Sequence, residues 1–299
     1  MQYDTLIIGG GPAGLSAALV LGRCVRRVLV LDSGRYRNER STALHCYLGH
    51  DGIAPLALRD QSREQLTRYD TIKLVGATVV KVARCTAGFA AVLDGGQEVV
   101  ARTVLFATGV VDELPQIPGL HELFGRSVHV CPYCDGWEHR DAPIAVFGRG
   151  SKGAGLALLL RQWTQDLVLC SHGPAGLAAD EQELLDRRGI NVRESPITEL
   201  CSEDGCLRAL RFDDGEQLPR QALFFTTGQH PRSTFLENLG CTYDDKGVSC
   251  DEDGATSVPG VYVAGDVSRD VQLVIIAAAE GARAALAINK ALLRADGHL

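Results

Sequence analysis

Three glycines at the spacing Gly9-x-Gly11-x-x-Gly14, set between an apolar run and a helical pattern, constrain this chain more than any other feature. Leu6-Ile7-Ile8 reads as a short buried strand, Gly9-Gly10-Gly11-Pro12-Ala13-Gly14 as a turn, Leu15 to Arg23 as a helix and Val28 to Leu31 as a second strand. This is a βαβ unit. Its glycines permit a tight turn and close backbone approach to a pyrophosphate, which the helix N-terminus receives. Asp32 ends the second strand eighteen residues after Gly14, where a carboxylate can accept both hydroxyls of a ribose.

Further along, Pro55 to Arg68 reads as helical, and short alternating strands are expected around Thr78 to Val82, Phe89 to Leu93 and Val99 to Ala101, with Gly95-Gly96 as a hairpin turn. Val104-Leu105-Phe106-Ala107-Thr108-Gly109 is another buried strand ending in a glycine turn. Pro115 and Pro118 mark a linker, after which the βαβ pattern starts again at Ile144-Ala145-Val146-Phe147 and closes at Leu223 to Gly228. The segment from Val261 to Asp266, with a helix from about Gln272 to Leu293, is too small to bury its own core and is expected to return to the first domain. The expected fold class is therefore α/β: two Rossmann-like, three-layer ββα domains with parallel sheets, the first interrupted by an inserted nucleotide-type domain. The expected boundaries are 1–114 with 233–299 for the discontinuous first domain and 115–232 for the insertion.

Inside that insertion lies Cys131-Pro132-Tyr133-Cys134, followed by Asp135-Gly136. Two thiols at this spacing close a small disulfide that can form and break in turnover. A structural zinc site would need a second ligand pair, and Cys-x-x-Cys does not recur, so no metal is expected.

The net charge of −7 argues against nucleic acid as a partner. The start lacks a cationic leader, and no apolar run reaches bilayer-spanning length. With no export signal, a cytoplasmic location is expected, and reduced thiols for the ten cysteines apart from the Cys131/Cys134 pair. Cys201 and Cys206, with four residues between them and no companion ligands, read as structural.

At the first site the sequence favours FAD. Val263-Ala264-Gly265-Asp266 would present a carboxylate to a ribityl hydroxyl, and the helix beginning near Gln272 and Leu273 would aim its N-terminal N–H groups at the isoalloxazine pyrimidine edge. The order Gly9-Gly10-Gly11-Pro12-Ala13-Gly14, Ala107-Thr108-Gly109, Cys131-Pro132-Tyr133-Cys134-Asp135-Gly136, Ala264-Gly265-Asp266 resembles the low-molecular-weight thioredoxin reductases, FAD-dependent pyridine nucleotide-disulfide oxidoreductases. The resemblance spans nearly the whole chain. It implies an FAD domain interrupted by a pyridine-nucleotide-type domain carrying the redox disulfide, and a homodimer. It also implies that Cys134 lies beside the flavin, that Cys131 attacks the substrate, and that Asp135 donates and accepts the proton. The partner it implies is a thioredoxin-like protein or a small-molecule dithiol or disulfide.

The second glycine loop, Gly148-Arg149-Gly150-Ser151-Lys152-Gly153, departs from that pattern downstream. NADPH-using relatives place arginines after the next strand for the 2′-phosphate, and NADH would call for an acidic residue there. This chain has Ser171-His172-Gly173-Pro174. NADPH is therefore not expected to be an efficient donor, although Arg149 and Lys152 could contact phosphate from within the loop. Arg187 and Arg188 read as a solvated helix face. The Pro-Tyr within the disulfide loop and the Trp137-Glu138 after it resemble a branch that includes dithiol oxidases and reductases using a non-nicotinamide donor such as ferredoxin or flavin. A flavin-based redox sensor is the third reading. His45, His50, His129 and His139 lie near the expected site; each alone reads as a packing or surface histidine, with a base that activates a substrate thiol as the functional alternative. Trp137 and Tyr133 either shape a substrate mouth or simply pack.

Overall fold

A computed structural model describes residues 2–244, 247–268 and 271–299. The chain forms two compact units: Met1–Glu39 with Cys46–Val111 and His230–Leu299, and Arg40–His45 with Asp112–Gln229. Each is built around a sheet with an apolar core on both faces.

In the first unit, β1 (Tyr3–Ile8), α1 (Pro12–Arg23), β2 (Val28–Asp32), α2 (Pro55–Leu66) and β3 (Ile72–Gly76) are followed by a meander of β4 (Val79–Cys85), β5 (Gly88–Leu93) and β6 (Glu98–Phe106). The sheet order is β3-β2-β1-β6-β5-β4, and the strand Val261–Val263 also pairs with β6. The two strands expected at 99–101 and 104–106 are one. β6 runs antiparallel to β5 through Ala101, then continues parallel to β1 and to Val261–Val263. Arg102 and Thr103 look like a break in the sequence because they are polar. Arg102 reaches Asp296 at 2.7 Å, and Thr103 hydrogen-bonds Thr5 at 3.0 Å, so neither interrupts the ladder.

One face of this sheet buries Phe89, Phe106, Leu29 and Val261, and the other buries Ile7, Leu21, Leu105 and Ile288. Burying each such side chain contributes roughly 1.5–3 kcal/mol, which fixes the register of every strand that ends at the site. The C-terminal helix spans Val274–Ala295, two residues later at each end than the sequence suggests.

The second unit carries a five-stranded parallel sheet in the order Asn191–Arg193, Leu167–Cys170, Ile144–Phe147, Ala222–Phe225, Val128–His129. A three-stranded antiparallel sheet, Ile197–Glu203, Cys206–Phe212 and Gln217–Pro219, accompanies it. No helix of the described residues is long and apolar enough to cross a membrane.

Candidate active site

The first glycine loop has the shape of a phosphate cradle. Gly9 takes φ +114°, and a Cβ there would strike the carbonyl oxygen of Ala107; one at Gly14 would strike that of Gly9. Gly11 is different: a Cβ there would meet nothing within 4 Å. The space in front of Gly11 is open in the protein itself, beside the N-terminus of α1, whose first turn begins with Pro12 and has no side-chain cap. Ala107 N donates to Ile8 O at 2.9 Å and Ala264 N to Phe106 O at 3.1 Å. The turns carrying Thr108, Gly109, Gly265 and Asp266 therefore lie beside the glycine loop at the carboxyl ends of neighbouring parallel strands, where such sheets bind ligands.

Asp32 is buried at the end of β2 and borders an open cleft of about 510 Å3 lined also by Gly34, Arg63, Gly76 and Ala77, roomy enough to admit an adenosine. Its Oδ1 accepts from Gly34 N at 3.0 Å; its Oδ2 accepts from Arg63 Nη2 at 2.7 Å and from the Tyr36 hydroxyl. Burial pushes this carboxyl up, but the hydrogen bonds from Tyr36, Gly34 and Arg63 outweigh it and hold Asp32 below its usual range. Burial, then Asp32 itself, pushes Tyr36 up to about 12, so the phenol keeps its proton. A carboxylate offers about four lone pairs, and three are taken. Tyr36 and Arg63 thus share with any bound ribose the Asp32 carboxylate that the sequence assigns to its hydroxyls.

At the other end of the cradle, Arg37 Nη1 reaches Asp266 Oδ2 at 3.1 Å and also Gln272 Oε1. Sequence reasoning missed Arg37, Tyr36 and Arg63: the first two lie in a loop without periodic pattern, and Arg63 in a stretch that showed only as a helix. Leu273 is the N-cap of the C-terminal helix and gives it no side-chain cap, which leaves first-turn N–H groups for a negative edge. The open cradle, the cleft beside Asp32, the ionised Asp32 and the uncapped helix together fit FAD.

In the second unit Cys131 and Cys134 are joined as a disulfide, their Cα atoms 5.3 Å apart across the single turn Pro132–Asp135. Asp135 Oδ1 lies 3.3 Å from Nδ1 of His129, a buried ring at the end of the strand Val128–His129. His129 Nε2 lies 3.0 Å from His139 Nε2, and Phe224 packs against both rings. Burial, then the charge of His129, lowers His139 to about 4. The ten-residue gap gave no periodic signal, because a helical turn and a return loop separate the two histidines. His45 pairs with Glu138 at 3.4 Å, and His50 stacks edge-on with Tyr47. Tyr133 and Trp137 are exposed; Tyr133 meets Trp163 edge-on and Trp137 stacks with Arg140. Cys201 and Cys206 sit opposite Ala209 and Glu203 and do not meet each other.

Part of the second glycine loop is engaged by the chain itself. Arg149 Nε donates to Ser171 O at 2.6 Å and Nη2 to His172 O. Gly150 N, at the first residue of the helix Gly150–Leu160, donates to Ala175 O at 2.8 Å. A hydrogen bond with Ser151, then one from Ala178 N, lowers the Glu181 carboxyl. Arg193, on the neighbouring strand, pairs with Asp214 at 2.8 Å and Glu216 at 2.9 Å, and Arg187 pairs with Glu183 on an exposed face. Lys152 is exposed. Among the described residues no three His, Cys, Asp or Glu side chains group as a metal site requires, although His45 and His50 have the four-residue gap of a zinc pair.

The profile of the pyridine nucleotide-disulphide oxidoreductase family matches residues 3–281. A protein of Claviceps purpurea called thioredoxin reductase tcpT is 37% identical over 279 residues, 88% of this chain and 86% of that one. The crystal structure of HlmI superposes with a TM-score of 0.95 at 38% identity, covering 99% of this chain and 94% of the other. A putative thioredoxin reductase TrxB from Bacillus anthracis gives 0.94 at 31%, covering 98% and 99%. The chain belongs to the pyridine nucleotide-disulphide oxidoreductase family. Within it, this is an FAD-dependent oxidoreductase of the thioredoxin reductase type.

Proposed function

We propose that this enzyme moves two electrons between FAD and a dithiol/disulfide pair through Cys131 and Cys134, and that NADPH is not an efficient donor. The observation that carries the second clause is the engagement of the second loop's Arg149 guanidinium, Gly150 N–H and Ser151 hydroxyl within the chain, which leaves Lys152 as its exposed basic side chain. Pyrophosphate binding at such a loop requires free N–H groups and charge.

The same observation favours the oxidative direction. One thiolate of a dithiol attacks the Cys131 sulfur, breaking the Cys131–Cys134 bond and releasing Cys134 as a thiolate. The second substrate thiolate attacks the mixed disulfide, forming the substrate disulfide and freeing Cys131. Asp135 carries the protons between the substrate thiols and the two cysteines. Bound FAD would supply the two-electron acceptor that lets the Cys131 and Cys134 thiols close again to the disulfide. With dioxygen as final acceptor, one dithiol and one O2 give one disulfide and one H2O2.

In the reverse direction the same groups reduce a disulfide, and the relatives named thioredoxin reductase make a thioredoxin-like protein the natural alternative to a small-molecule dithiol. A homodimer follows from the same family reading. The test is aerobic turnover of the flavin-loaded protein with a small dithiol, following oxygen uptake and peroxide. Equimolar peroxide per dithiol oxidised is expected; NADPH-driven reduction of a thioredoxin-like protein without dithiol-dependent oxygen uptake would refute the reading.

A further inference from the structure

We infer that His129 and His139 form a proton relay that charges and discharges Asp135 during thiol-disulfide exchange, with His139 as its outer end. The inference rests on Asp135 being the proton donor and acceptor at Cys131 and Cys134. His129 is sealed from solvent, its side chain 4% exposed against 24% for Asp135. A buried imidazole must satisfy its nitrogens within the protein. His129 does so with a carboxylate on one side and a second imidazole on the other, 3.3 and 3.0 Å away. An orienting histidine would need the first contact and any backbone carbonyl for the second. A second imidazole, aligned nitrogen to nitrogen and half-buried, adds a route outward.

Only one hydrogen fits between two ring nitrogens. With Asp135 ionised, His129 Nδ1–H donates to Oδ1, and the bare His129 Nε2 accepts from His139 Nε2–H. To protonate Asp135, the Nδ1 proton passes to Oδ1 while the His139 proton passes to His129 Nε2. His139 then takes a proton from water at its Nδ1. Each ring gains one proton and loses one, no electrons move, and the reverse sequence discharges Asp135. Phe224 walls both rings with apolar surface. Burial, and the charge His129 carries whenever it is protonated, keep the His139 ring neutral at ordinary pH against the pull of the Asp135 carboxylate.

The test is anaerobic reduction of the flavin-loaded enzyme by dithiothreitol, from about pH 5.5 to 9 and in mixtures of H2O and D2O. The wild-type rate is expected to depend on deuterium fraction along a curve, as it does when more than one proton is in flight. His139→Gln should keep its flavin, lose roughly ten- to a hundredfold in rate, give a straight dependence and regain rate with added imidazole. A His139→Gln rate within about twofold of wild type, a curve that persists, or a loss that imidazole leaves unchanged would overturn the relay. Asp135→Asn separates the two readings: full rate in that variant removes the role of Asp135 itself, whereas a slow Asp135→Asn beside a fast His139→Gln removes the relay alone. If His139→Gln cannot hold flavin, the wild-type mixtures decide, and a straight line overturns the proposal.

Discussion

His129 and His139 meet through their Nε2 atoms at 3.0 Å, and both rings rest on Phe224. The pair ties the folded state to pH. His139 titrates at about 4 in the fold, below its ordinary 6.5, because of burial and then the charge of His129. Between those values the unfolded chain binds the extra proton. The contribution of the neutral ring is therefore complete above pH 6.5 and is lost as the pH falls towards 4. Its ceiling is about 3 kcal/mol, less what solvent screens at a half-buried ring. The thermal midpoint of wild type is expected to fall relative to that of His139→Gln across this window and to run parallel above it. A constant difference throughout would show that the ring is not held neutral by the fold.

The glycine loop separates folding from binding. Gly11→Val places its Cβ where no atom beyond the chain neighbours lies within 4 Å, so the apoprotein should keep its stability while flavin content, read from absorbance, falls to near zero. Gly14→Val forces a Cβ onto the Gly9 carbonyl and should destabilise the chain by roughly 3 kcal/mol or more, in line with other overpacked sites. Full flavin in Gly11→Val would place the cofactor elsewhere.

The disulfide cysteines are expected to differ in role. Both Cys131→Ser and Cys134→Ser should bind FAD and lose turnover. Cys134→Ser should trap a thiol reagent as a mixed disulfide on Cys131, one per chain by mass. Trapping on Cys134 in the Cys131→Ser variant, without the reverse, would exchange the two assignments.

Fold class and motif positions were legible because they follow from local pattern: apolar runs of strand length, glycines at a turn, two cysteines on one helical turn. What was not legible depends on long-range contact. Arg37 reaches Asp266, Arg63 reaches Asp32 and His129 reaches His139, and nothing in the spacing of these residues marks them as neighbours. Arg149 shows the same limit from the other side. In sequence it is a basic residue within a phosphate loop, and the structure turns its guanidinium onto the carbonyls of Ser171 and His172.

The central claim concerns the source of electrons, and rapid anaerobic mixing tests it most directly. Without arginines for the 2′-phosphate, NADPH loses charge-assisted contacts worth about 1.5–3 kcal/mol each, so two missing contacts weaken binding about a hundredfold or more. The flavin-loaded enzyme is mixed separately with NADPH, NADH and a small dithiol while flavin absorbance is followed. The dithiol is expected to bleach the flavin of wild type quickly and that of Cys134→Ser not at all, with both nicotinamides leaving it oxidised over the same period. Fast, stoichiometric bleaching by micromolar NADPH would contradict the account and make this an ordinary nicotinamide-driven reductase.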